Sequence, residues 1–139
     1  MDEHDLNRLF LRGIWASAIP SDDDPSWVER VAAQPITEDP LGDFGAIIDR
    51  MLAAGVSAAE IARFAKIVAY ETAFGFCSHL TDPVASYEGF DDDPGEFEWG
   101  LFELDVNTGE PIRPMLGLHE DILGLDPSGN EMRPPTDQP

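Results

Sequence analysis

The chain has 139 residues, enough for one domain with its own core and long enough to fold without disulfide or metal staples. Apolar residues make up 42%, and eleven are Phe or Trp, which argues against disorder despite a formal charge of −20. That charge repels phosphate backbones and anionic lipid, so direct binding to nucleic acid or to a membrane surface is not expected.

The first helix is predicted in DLNRLFLRGIWASAIP. Leu6, Leu9, Phe10, Ile14 and Ala18 follow the i, i+3, i+4 spacing of one face, where Gly13 and Ser17 would allow close packing; Pro20 ends the run. Leu11, Trp15 and Ile19 form a second stripe, so this helix is either buried broadly or turns its far side to a partner. The tetrapeptide DDDP follows at residues 22–25, with Asp24 as N-cap and Pro25 as first residue of a short helix, SWVERVAA. Asp22 and Asp23 would then sit favourably at the positive end of that helix.

The same grammar recurs in EDPLGDFGAIIDRMLAAG: Asp39 caps, Pro40 opens, and Gly55 closes. Phe44, Ile47, Ile48, Met51 and Leu52 supply its apolar stripe. Ser57 and Glu60 form a capping box that starts the longest helix, predicted over residues 58–80. Ile61, Phe64, Ala65, Val68, Thr72 and Gly75 share one face, widened by Ile67, Tyr70, Phe74 and Cys77. So broad an apolar circumference predicts the centre of a helical bundle.

After residue 81 the period changes from helical to alternating. In EFEWGLFELDV the apolar residues move from odd to even positions, which predicts a strand with a bulge near Gly100 and its carboxylates on the other face. Asn107-Thr108-Gly109 reads as a hairpin turn into PIRPML, whose prolines mark a short or edge strand. LHEDILG is predicted to give one or two helical turns, and from Asp126 onward the Pro-rich chain is predicted to run over the surface. The expectation is a single α+β domain over residues 1–134: an N-terminal bundle of about four helices, an antiparallel β-hairpin and a short C-terminal helix, with 135–139 as a frayed tail.

Motifs for chemistry are scarce. His119-Glu120 begins like a zinc-binding H-E-x-x-H, but position 123 is Leu and the second ligand is missing. His4, His79 and His119 lie in separate elements, and one cysteine makes a structural zinc site implausible. DDDP lacks the alternating oxygen ligands of a calcium loop, and Asp105-Val-Asn107-Thr-Gly109 is better explained as a turn, which leaves at most a weak divalent site. No cofactor is expected. Cys77 and His79, two apart on a helix, point away from each other. Glu71 interrupts the apolar run AYETAFGF; as a buried carboxylate it would pair with an arginine or tyrosine, or else serve with His79 as an acid–base group.

The acid itself is the main signal. Residues 1–80 carry 13 acids and 6 bases, whereas residues 81–139 carry 15 and 2. Glu88, Asp91, Asp92, Asp93, Glu96 and Glu98 are six carboxylates in eleven residues, interleaved with aromatics; Trp99, Glu103 and Asp105 continue the pattern. Such a density is costly unless screened or met by cations, and aromatics beside charge anchor interfaces. These nine residues are therefore the candidate partner-binding surface, for a basic protein such as a toxin.

The segments WGLFELDVNTGEP and GLHEDILGLDPSGNEMRP resemble an uncharacterised family of small acidic bacterial proteins, over roughly residues 57–134. The resemblance implies a bacterial cytoplasmic setting and carries over no catalytic or binding residues. A cytoplasmic protein also suits a start, MDEHDLNRLFLRG, without signal-peptide pattern, and a chain with no run of ~18 apolar residues to span a membrane. The leading expectation is a non-enzymatic immunity or inhibitor protein. The alternatives are a structural or homodimer-forming module using the first helix, a merely solvating acidic skin, and an enzyme built on Glu71 and His79.

Overall fold

The computed structural model describes residues 2–81 and 99–134. Four helices come first: α1 (Glu3–Ser17), α2 (Ser26–Ala32), α3 (Phe44–Ala53) and α4 (Ala58–Thr81). Strands β1 (Phe102–Leu104) and β2 (Pro111–Pro114) then pair antiparallel, and α5 (Leu118–Asp121) runs into a 3-10 turn at Leu123–Leu125. The fold is α+β, with helices N-terminal to one hairpin and a short C-terminal helix. The chain divides into two compact units, one of residues 1–18 and 71–139, the other of residues 19–70.

In the 19–70 unit, Val28, Ile48, Ile61 and Ala62 form a buried cluster. Trp27, Val31, Met51 and Leu52 pack against it. α3 approaches α2 at Gly45, where a Cβ would stand 2.5 Å from the Val31 carbonyl oxygen; only glycine permits this contact. The helix starts are legible in local chemistry. At α2 the prediction shifts by one: the helix begins at Ser26 with Pro25 at the N-cap, and Asp24, one position ahead of the cap, accepts the Ser26 N–H at 3.0 Å. α3 begins at Phe44, four residues beyond the predicted Pro40. Leu41 takes a left-handed φ of 64°, which no right-handed helix tolerates, and Asp39 instead closes a turn by accepting from the Gly42 N–H.

Gly55, with φ 95°, ends α3 as predicted: Val56 N–H reaches the Met51 carbonyl and Gly55 N–H that of Leu52. Ser57 and Glu60 then cap α4 reciprocally, at 2.9 and 3.2 Å.

The other unit is organised by α1 and the C-terminal segment. Trp15 donates its indole N–H to the Ile122 carbonyl at 2.9 Å, and Asn7 its amide to the Leu116 carbonyl at 2.9 Å. The Asn7 Oδ1 is buried and has no hydrogen-bond partner among the described residues. Leu11, Cys77, Leu118 and Ile122 are almost fully buried. The covered stripe of α1 is thus Asn7, Leu11 and Trp15, the second of the two stripes; Leu9 is 56% exposed, and a Cβ on Gly13 would meet nothing within 4 Å. Leu6, Phe10 and Ile14 of the first stripe are half-buried, so the second stripe is the more deeply covered one, with Trp15 tied to the Ile122 carbonyl.

α4 does not have the uniformly buried circumference predicted for a central helix. Ile61, Ala62, Lys66, Ala73 and Cys77 are covered, while Phe64 is 62% and Phe76 64% exposed. Its inner line is Ile61, small residues and a paired lysine, while large apolar residues such as Phe64 and Phe76 stand on its outer line. Asp126, placed in a surface tail by the sequence reading, is buried; its carboxylate accepts from Ser128 and Met132 N–H and folds residues 126–132 into a turn.

Candidate functional site

Six of the nine candidate partner-binding residues, Glu88, Asp91, Asp92, Asp93, Glu96 and Glu98, lie outside the described residues. The other three have internal roles. Trp99 donates its indole N–H to the His79 carbonyl at 2.9 Å and leans on the His79 ring, with centroids 4.9 Å apart. Glu103 is ion-paired to Arg113, directly opposite on β2. Asp105 accepts the N–H groups of Asn107 and Thr108 at 2.8 and 2.9 Å, which fixes the hairpin turn and holds its carboxyl below the usual range.

The hairpin differs from its prediction in two ways. The bulge falls between Glu103 and Leu104 rather than near Gly100. The faces are also exchanged: Phe102, Leu104 and Ile112 are exposed, while the Glu103–Arg113 pair is partly covered. Pairing with Arg113 offsets part of the desolvation cost of a half-covered Glu103.

Asp22, expected to complement the start of α2, instead accepts from Arg63 at 3.3 Å and from Lys66 at 3.0 Å. Only 6% of the Lys66 side chain is exposed. Burial pushes the Asp22 carboxyl up, but hydrogen bonding and charge from Lys66, with Arg63, outweigh it and leave the pKa lowered. The sequence signal that could have found this trio was the i, i+3 placement of two cations, Arg63 and Lys66, on a helix otherwise poor in them.

Glu71 is exposed rather than buried. It does share an open hollow of about 290 Å³ with Thr72, Gly75, Phe76 and His79. Eight residues of helix separate Glu71 from His79 by about 12 Å along the axis, too far for direct proton transfer between them. Cys77 is buried, and burial raises its thiol pKa, the opposite of a nucleophile's requirement. Among the described residues, no group of three His, Cys, Asp or Glu could hold a metal ion, and no helix is long and apolar enough to cross a membrane.

The features that remain are an acid-rich chain, of whose described carboxylates Asp2, Asp22, Asp24, Glu60, Glu103, Asp105, Asp126 and Glu131 are tied into structure, and a hairpin with its apolar side outward. No family model, curated protein or solved structure matches the chain.

Proposed function

We propose that this is a non-enzymatic acidic binding protein that docks on a basic protein partner, in the manner of an immunity or inhibitor protein, in the cytoplasm. One observation carries the reading: a net charge of −20 that the chain's own cations do little to relieve. Arg63 and Lys66 are both spent on Asp22, Arg113 on Glu103 and Arg133 on Glu131. A field of this sign raises the encounter rate with a cationic surface and disfavours other partners.

The test is affinity capture by the full chain at low salt, repeated at high salt and with Asp91, Asp92 and Asp93 changed to Asn. The reading expects a basic protein, retained at low salt and released at high salt, and held less well by the variant. Capture of no basic protein at low salt would overturn it.

A homo-oligomerisation module is the second reading. What favours it is the apolar outer line of α4, where Phe64 is 62% and Val68 47% exposed. Light scattering that gives a monomer at every concentration would end it. An enzyme using Glu71 and His79 has less support, because the helix holds the two apart.

A further inference from the structure

The hairpin is built inside out. Its register pairs Phe102 with Pro114, Glu103 with Arg113 and Leu104 with Pro111. Cross-strand partners share a face and successive residues alternate, so Phe102, Leu104, Pro111 and Pro114 lie on one side and the ion pair on the other. Ile112 is the extra residue at the register shift. The side with the ion pair is the covered one: Glu103 and Arg113 keep 25% and 29% of their side-chain surface exposed. On the apolar side, Phe102 is 43% exposed and Leu104 and Ile112 are each 56% exposed. A hairpin that only needed solubility would place these side chains the other way round.

A hollow of about 380 Å³ adjoins this face, with Trp99, Phe102, Pro114 and Leu116 among its walls. Its size is at the lower end of the roughly 300–1,000 Å³ typical of pockets that take a ligand, and it suits one bulky apolar side chain. The charges bordering the strip are carboxylates. Asp105 and Glu110 stand at the turn. At the other end, the Glu120 carboxylate lies 3.5 Å from where a Cβ on Gly117 would be, next to the exposed Leu116. Between residues 99 and 125 the only Lys or Arg is Arg113, which is on the opposite face and held by Glu103.

We propose that this face is the docking surface for a basic partner segment, which inserts a large apolar side chain into the hollow and sets Lys or Arg against Asp105 and Glu110 at one end and Glu120 at the other. The inference rests on the acidic-binding reading and locates its contact. A second copy of the chain is a poorer occupant, since it would bring the same carboxylates and a further −20 of charge.

The experiment is a titration of the full chain, with labelled methyl groups, by a synthetic peptide of Lys, Leu and Trp, alongside a counterpart with Glu in place of Lys. The basic peptide is expected to shift the methyl signals of Leu104, Ile112 and Leu116, and the acidic one to bind at least about tenfold more weakly. Changing Leu104 and Ile112 together to Ser should weaken the basic peptide by about tenfold. Both side chains are exposed, and the mapping on the unaltered protein stands independently of the variant. If the basic peptide binds elsewhere and the double variant binds it unchanged, this surface is wrong while the acidic-binding reading survives. Equal binding of both peptides would overturn the partner chemistry, and no binding of either would overturn both. Concentration-dependent shifts of the same methyls without peptide would give the face to a second copy and overturn the proposal.

Discussion

The ammonium of Lys66 stands 3.0 Å from a carboxylate oxygen of Asp22, 44 residues away in the chain. The lysine side chain is nearly enclosed, and Asp22 supplies the opposite charge without which burying that cation would be costly. The first DDDP is therefore divided in function, with Asp24 accepting the Ser26 N–H just ahead of α2 and Asp22 reaching α4.

Removing the acid should leave two cations facing each other. Asp22→Ala is expected to destabilise the protein by about 3 kcal/mol, as for other enclosed pairs broken on one side. Replacing the pair together, Asp22→Leu with Lys66→Met, should recover much of that loss. Urea denaturation of the three proteins measures it; a loss in the single variant within error of zero would show that solvent already reaches the lysine.

The same pair sets a pH dependence. Because the Asp22 carboxyl is lowered in the folded protein, its contribution is complete above the unfolded pKa, about 3.9, and is lost as pH falls through the lower folded value. Relief of like-charge repulsion acts in the opposite direction as other carboxylates protonate. The quantity to read is the stability difference between wild type and Asp22→Asn at neutral pH and below pH 4. It should shrink in acid; a constant difference would contradict the linkage.

Two glycines should respond in opposite directions to alanine. Gly45→Ala puts a Cβ against backbone oxygens of Val31 and Gln34 and should cost about 2 kcal/mol. Gly13→Ala, within α1 and facing open space, should stabilise by about 0.5–1 kcal/mol. Paired thermal melts decide it, and a lowered melting temperature for Gly13→Ala would mean that α1 is packed on that side.

Trp15→Phe keeps an aromatic ring but removes the donor to the Ile122 carbonyl. An acceptor left unsatisfied in this buried place should cost about 1–3 kcal/mol, and hydrogen exchange should quicken at α5 before α4. Uniform acceleration across both helices would show that the bond does not anchor the C-terminal segment in particular.

What the sequence made legible was local. The Ser57–Glu60 box and the closing Gly55 involve residues within a few positions of one another, and both stand in the structure; the expected Asp24 cap gives way to Pro25, with Asp24 one position ahead accepting from Ser26. The errors came from contacts across distance. Leu11 and Trp15 are more deeply buried than Leu6 and Leu9 in α1, and Trp15 bonds to Ile122, 107 residues on. Asp22 finds its cations on α4, and the Asp126 carboxylate makes a turn where composition suggested a tail. On the hairpin, alternation showed two faces but not which is covered; the Glu103–Arg113 pair decides that, and a single bulge changes the phase. The candidate site was legible as acid and aromatics. That Glu103 and Asp105 serve the hairpin itself depends on the register, which hydropathy does not encode.

The central claim is that unneutralised acid drives docking on a cationic protein. Calorimetric titration of the basic partner across a salt series, with wild type and with Asp91, Asp92 and Asp93 changed to Asn, tests it most directly. The account predicts that affinity falls at least about tenfold from low to high salt and that the variant shows a shallower dependence. An affinity that is independent of salt, or a variant that binds as tightly with the same slope, would contradict it.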